Sequence, residues 1–163
     1  MRIVKGDLFN FPFHAIFHQC NCFHTMGAGF AKILVNKYPE ILIEDKKTPF
    51  GDINKLGSYS RAIISSETGF SARLIYNLYS QYHYGKGSLK TDYNALKISF
   101  QKACEDLLGY KQFICYENEK IQLSIPYLIG CGLAGGDENI VIDIIDYIMI
   151  DYPDIELTAY KIN

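Results

Sequence analysis

The chain has 163 residues, with 16 Lys and Arg against 18 Asp and Glu, a formal net charge of −2, 48% apolar residues and 21% charged ones. That length suits one domain with a core buried without covalent staples. The balance excludes a disordered chain, a membrane-embedded chain and a protein whose main partner is a nucleic-acid duplex, because no long-range positive field exists to attract a polyanion.

In chain order, Arg2 to Lys5 reads as a short strand and Ala15 to Cys20 as a more buried one. Met1 to Asp7 lacks the continuous apolar run of a secretory signal, so the expectation is a cytoplasmic protein. Gly27 to Tyr38 reads as a helix, with Phe30, Ile33, Leu34 and Lys37 at helical spacing and Pro39 closing it. Residues 40 to 54 read as a short helix followed by a polar connection. Ser58 to Ile64 and Leu74 to Tyr79 are β-rich runs around a polar turn at Glu67-Thr68-Gly69, the signature of a hairpin or of neighbouring strands.

Gln81 to Lys90 has two glycines and no periodicity, as a ligand-covering loop has. Asp92 to Leu108 reads as a helix with Thr91 as its N-cap and Gly109 as its stop. Phe113 to Tyr116 is expected as a short strand and Ile121 to Ile125 as a fuller one. A glycine-rich segment, Ile129 to Asp137, then leads into a helix over Glu138 to Ile150, whose Asp143 and Asp146 make it too charged to cross a bilayer. Ile155 to Ile162 is the last strand. Strands and helices alternate throughout, so the fold class is α/β.

Two strand-to-helix junctions carry the glycines: Asn21 to Phe30, and Gly130 to Gly136. Glycine lets the chain present consecutive N–H groups inward, and a following helix adds its partial positive end, so each junction can hold a phosphate and the pair suits a diphosphate. Neither is a Walker A loop or a GxGxxG fingerprint, which disfavours a P-loop NTPase and a hydride-transferring Rossmann enzyme. Asp7 follows the first strand, at the kind of strand end where ligands of α/β sheets gather. The alternation of His18, Cys20, Cys22 and His24 raises a zinc site. Four ligands in a row on one strand converge poorly into a tetrahedron, so no metal is expected. The five cysteines are an odd set without a CxxC pair and read as free thiols in a reducing compartment.

The motifs Val4-Lys5-Gly6-Asp7-Leu8-Phe9, His18-Gln19-Cys20-Asn21-Cys22, Met26-Gly27-Ala28-Gly29-Phe30-Ala31, Lys37-Tyr38-Pro39, Thr91-Asp92-Tyr93 and Pro126 to Asp137 resemble the macro domain family in order and spacing, over Arg2 to Tyr160. They look closest to the branch of ADP-ribose-1″-phosphate phosphatases (Appr-1″-p processing proteins) and terminal ADP-ribose glycohydrolases. The resemblance implies a three-layer α/β/α fold around a central mixed sheet, spanning 1–163 as one domain. It also implies ADP-ribose or ADP-ribose-1″-phosphate as ligand, ADP-ribosylated macromolecules as further partners, no cofactor, and a monomer. Carried onto this sequence, it gives adenine to Asp7, the Leu8 amide and Tyr160, and the distal ribose to Asn21. Met26, Gly27, Ala28, Gly29 and Phe30 then lie along the ribose and diphosphate, and Gly130, Cys131, Gly132, Leu133 and Ala134 wrap the phosphates.

The sequence departs from the glycohydrolase members, which use a lysine and an aspartate at positions where this chain has Gln81 and Ala134; Lys86 and Lys90 are the nearby substitutes. It resembles the phosphatase members in His18, which is read either as a proton shuttle or phosphate orienter or as a core histidine bonded to its surroundings. The catalytic candidates are therefore His18 and Asn21. The leading expectation is hydrolysis of ADP-ribose-1″-phosphate, beside a non-catalytic binder of ADP-ribose and a de-ADP-ribosylating hydrolase.

Overall fold

The computed structural model describes residues 1–65 and 72–162, so the turn expected at 67–69 lies outside the described residues. Six strands form one sheet: β1 (Arg2–Lys5), β2 (Ala15–Asn21), β3 (Tyr59–Ile64), β4 (Arg73–Gln81), β5 (Ile121–Pro126) and β6 (Ile155–Lys161), in the order β1-β6-β5-β2-β4-β3. All neighbours are parallel except β3 and β4, which run antiparallel, so the sheet is mixed. The helices are α1 (Gly29–Lys37), α2 (Glu40–Lys46), α3 (Tyr93–Gly109), α4 (Lys111–Ile114) and α5 (Glu138–Met149).

The two-residue period of the strands sorts the core into two layers. On β2 and β4, Ala15, Phe17, Leu74, Tyr76 and Leu78 join Leu96, Phe100, Val141 and Ile145 of α3 and α5. Ile16, Cys20, Ile75 and Tyr79 face the other way, onto Leu34 of α1 and Ile41 of α2. The result is the expected α/β/α sandwich. Phe17 anchors the first layer, edge-on to Tyr76 at 4.8 Å and to Phe100 at 5.1 Å. Each fully buried aromatic of this kind contributes about 2 to 3 kcal/mol of transfer free energy.

Local chemistry sets several boundaries differently from the sequence reading. Asp92, not Thr91, caps α3, its carboxylate accepting from the Ala95 amide at 2.9 Å. Thr91 is turned instead toward the second glycine loop, donating its hydroxyl to the Gly130 carbonyl. Gly109 continues α3 rather than stopping it, and Tyr110 is the C-cap. The first half of the segment expected as a strand at Phe113 to Tyr116 falls in the helical turn α4: Ile114 is buried in the core, Cys115 packs partly against it, and Phe113 and Tyr116 are exposed. Helix α1 begins at Gly29 instead of Gly27.

Candidate functional site

β2 and β5 are adjacent, but the helices that follow them leave to opposite faces, α1 with the second layer and α5 with the first. This is a topological switch point, where open α/β sheets bind ligands beyond the carboxyl ends of the strands. The β2–β5 ladder consists of Ala15–Leu123 and Ile16–Ser124, so β2 runs on unpaired with β5 from Phe17 to Asn21 and β5 unpaired with β2 over its last two residues. In the gap sits a cavity of about 580 Å³, within the range of small-molecule sites.

Three loops wall it. The β2–α1 loop contributes Asn21, Thr25, Gly27 and Ala28, continuing into Gly29 and Phe30 of α1. The β5–α5 loop contributes Leu128 to Gly130 and Gly132 to Ala134, and the β4–α3 loop contributes Tyr84, Gly85 and Lys86. The first two face each other closely: a Cβ placed on Gly29 would lie 3.5 Å from Leu133 Cδ1. The third is tied to the second by the Lys90 amide donating to the Ala134 carbonyl at 2.7 Å.

The polar groups that the first two loops present include runs of backbone amides. In the β5–α5 loop, the Gly136 amide closes onto the Gly130 carbonyl at 2.9 Å and the Gly135 amide onto Gly132 at 3.1 Å. The amides of Gly132, Leu133 and Ala134 between them meet no acceptor among the described residues. Gly130, at φ 76°, favours glycine, and a Cβ there would also crowd the Gln19 amide, 2.6 Å from Oε1. Gly132 differs, having no positive φ and only open space where a Cβ would stand. On the opposite wall the amides of Gly27 and Ala28 are likewise unmatched among the described residues. Asp92 and Asp137 cap α3 and α5, whereas Ala28, the N-cap of α1, provides no side-chain acceptor. The orphan amides and the partial positive charge of α1 are left facing the cavity.

The side chains of the lining fit an anion. Among the described residues it contains no Asp or Glu, and Lys86 is its charged residue. Gln81 and Ala134 both line the cavity, so no lysine or aspartate stands at those two positions. Cys20 lines it as well, but burial, with Asp45 adding, raises its thiol well above the ordinary value, so at neutral pH it is no thiolate nucleophile.

His18 is 1% exposed, and its Nε2 lies 2.6 Å from Asn77 Oδ1, its partner on the neighbouring strand. Burial lowers its pKa to about 4, against a smaller opposing effect of the Asn77 bond. The imidazole is therefore neutral at neutral pH, which favours the structural of its two readings. Asn21 has both ends of its amide engaged in its own loop, donating to the Thr25 carbonyl at 2.7 Å and accepting from the Phe23 amide at 2.9 Å. It lines the cavity as the residue that shapes the loop.

His18, Asn21, Gly27, Ala28, Gly29, Phe30, Gly130, Gly132, Leu133 and Ala134 are thus brought together. Five other candidates are not. Met26 and Leu8 are buried in the second core layer, and Cys131 packs against the first. Tyr160 is 9% exposed with Phe11 against its ring at 4.8 Å. Asp7 is exposed beyond the carboxyl end of β1, its carboxylate accepting from the Phe9 amide at 3.0 Å.

Sequence reasoning passed over Gln19 and the layer under the β2–α1 loop. Gln19 Nε2 donates to Thr91 Oγ1 at 3.1 Å and so ties β2 to the loop arrangement around Gly130. Beneath the β2–α1 loop, the buried Lys55 ammonium donates to the Cys22 carbonyl at 3.4 Å, lies 3.6 Å from Asp45 Oδ1 and sits 4.2 Å over the Tyr79 ring. Tyr79 donates to the same Asp45 oxygen at 2.7 Å. Asp45 falls in the stretch read as a short helix and polar connection and Lys55 directly after it, where only a charge kept inside distinguishes them. Among the described residues no cluster of three or more His, Cys, Asp or Glu is arranged to hold a metal, and no helix is long and apolar enough to cross a membrane.

No protein-family model matches the chain. Its fold is shared with the macrodomain of Mycobacterium tuberculosis DarG (TM-score 0.73, 20% identity, 98% of this chain and 95% of that one) and with that of Thermus aquaticus DarG (TM-score 0.74, 15% identity, 98% and 97%). A third similar structure is Thermosipho africanus DarTG in complex with ADP-ribose (TM-score 0.64, 18% identity, 99% of this chain and 42% of that one). In sequence, an uncharacterized 17.5 kDa protein of the tk–vs intergenic region of Enterobacteria phage T4 is 34% identical over 151 residues, covering 90% of this chain and 88% of its own. The chain belongs to one family with that phage protein, and its fold is that of the macrodomains.

Proposed function

We propose that the cavity binds ADP-ribose and that the protein hydrolyses ADP-ribose-1″-phosphate. The observation that carries the reading is the pair of facing amide runs, Gly27 to Gly29 with the start of α1 and Gly132 to Ala134, across a cavity without a carboxylate among its described lining residues. Such amides are preorganised for phosphate oxygens and cost no reorganisation as charge shifts between them. The ADP-ribose held by the structurally similar Thermosipho africanus protein supports the ligand class. Asp7, which follows the carboxyl end of β1 as the cavity follows those of β2 and β5, is the carboxylate we assign to the adenine amino group.

In the reaction, a water oxygen bonds to phosphorus as the bond from phosphorus to the 1″-oxygen breaks. One water proton ends on the departing oxygen and the other stays on the phosphate, giving ADP-ribose and inorganic phosphate. The chain's contribution is charge stabilisation and in-line positioning. A neutral His18 and a protonated Cys20 offer neither a ready general acid nor a covalent nucleophile.

The likeness in fold to DarG macrodomains gives a second reading, removal of ADP-ribose from a modified macromolecule. Offering the purified protein ADP-ribose-1″-phosphate, ADP-ribosylated protein and ADP-ribosylated nucleic acid side by side separates the two. Phosphate release from the first supports the phosphatase, and ADP-ribose release from the others replaces it with the second reading. Binding without any product makes the protein a sensor.

A further inference from the structure

With ADP-ribose bound as proposed, and only on that reading, two walls of the cavity have a role and the third has none. That wall is the β4–α3 loop, where Tyr84, Gly85 and Lys86 line the cavity. Its ends are fixed. Gln81 Nε2 donates to the His83 carbonyl at 3.0 Å, the His83 ring packs 4.7 Å from Phe23 of the first loop, and Lys90 is bonded to Ala134 of the second. A Cβ on Gly135 would lie 3.3 Å from the Ser88 carbonyl, so the loop's far end rests directly on the phosphate-binding turn.

Between these anchors the loop is built differently. Gly85 and Gly87 have φ of 122° and 87°, conformations that favour glycine, and a Cβ on either would meet nothing. No packing need explains that arrangement. What it does is carry the exposed Lys86, between fixed ends, to the mouth of a cavity whose other described lining side chains are neutral or apolar.

A diphosphate is met by fixed amide dipoles on both of the other walls, which leaves an ammonium on a flexible stem to answer a further charge. We infer that Lys86 gives the site its selectivity for ligands carrying a phosphomonoester beyond the diphosphate, by pairing with that terminal phosphate at the cavity mouth. The amides set affinity for the shared part of the ligand, and Lys86 discriminates by charge. Because the pair is solvent-accessible, the preference weakens as salt is added.

The test is calorimetric titration of wild type, Lys86→Met and Lys86→Arg with ADP-ribose and with ADP-ribose-1″-phosphate. Ligand integrity is verified by chromatography, and KM is read where the phosphorylated ligand is turned over. Wild type is expected to prefer the phosphorylated ligand. Lys86→Met should lose about tenfold on it, the loss of one charge-assisted hydrogen bond at a partly solvated site, and far less on ADP-ribose. Lys86→Arg should restore most of the preference. Equal loss on both ligands would mean that Lys86 serves the diphosphate, and no loss on either that it serves neither; each outcome overturns the inference and leaves the ADP-ribose reading standing. Wild type that binds neither ligand ends both.

Discussion

Replacing His18 with glutamine decides between the two roles weighed for that residue, because the two make opposite demands on its proton. Asn77 Oδ1 at 2.6 Å holds Nε2, the ring is 1% exposed, and its pKa is lowered from 6.5 to about 4. The unfolded chain takes up the proton near its ordinary value, whereas the folded protein refuses it until about pH 4, so unfolding binds protons in between. Stability is therefore full above the unfolded value and falls as pH drops through that window. From about pH 7 to about pH 4.5, linkage gives a loss of roughly 2.5 kcal/mol from this one group. Burial lowers the His14 value as well, so acidification destabilises through more than His18, and the difference between wild type and variant isolates the latter. Urea unfolding at a series of pH values should show His18→Gln losing less stability on acidification than wild type by about that amount, with ADP-ribose-1″-phosphate turnover at neutral pH changed only a few-fold. Identical pH profiles combined with a turnover loss of about a hundredfold, the scale of general acid–base contributions, would overturn the structural role and restore the proton shuttle.

Lys55→Met removes the cation from the buried pair with Asp45, leaving that carboxylate uncompensated, and is expected to cost about 3 to 5 kcal/mol in chemical denaturation, since Asp45 is 1% exposed. Gly136→Ala would set a Cβ 2.6 Å from the Gly130 carbonyl, a backbone atom with little room to yield, and should lower the melting temperature by an amount corresponding to about 1 to 3 kcal/mol. Asp7→Ala should weaken ADP-ribose binding by roughly 1.5 to 3 kcal/mol in calorimetry if its carboxylate holds the adenine amino group; undiminished affinity would leave Asp7 only its turn with Phe9.

Legible in the sequence was whatever rests on local periodicity and local turn chemistry. The apolar run along Ala15 to Cys20 specifies a strand buried on both faces, and the two glycine clusters mark the junctions that become facing walls. Phe113 to Tyr116 shows why composition misleads: aromatic and β-branched residues favour strands by packing on a sheet, and here the sheet edges are held by β1 and β3 while α3 has just ended. Thr91 and Asp92 are both good caps, and Asp92 takes the role because the Thr91 hydroxyl is bonded to the Gly130 carbonyl, far away in sequence.

The same long-range dependence hid Gln19 and the Asp45–Lys55 pair. Each takes its role from elements that topology brings together, and no local pattern marks them. Tyr160 and Met26 show the converse: a motif position fixes the chain there, while the side chain turns into the core.

Whether the facing amide loops hold a diphosphate is decided by titrating ADP-ribose into wild type and Gly132→Glu in a calorimeter. Gly132 has no positive φ and open space around its missing Cβ, so the variant should keep the wild-type circular dichroism spectrum and melting temperature. Its carboxylate, added beside the Gly132 to Ala134 amides, should block and repel the phosphates. Saturable binding by wild type and none detectable by the variant is the expected result. A folded Gly132→Glu protein that binds ADP-ribose at wild-type strength, or a wild type that does not bind it, would contradict the assignment of the loops to the phosphates.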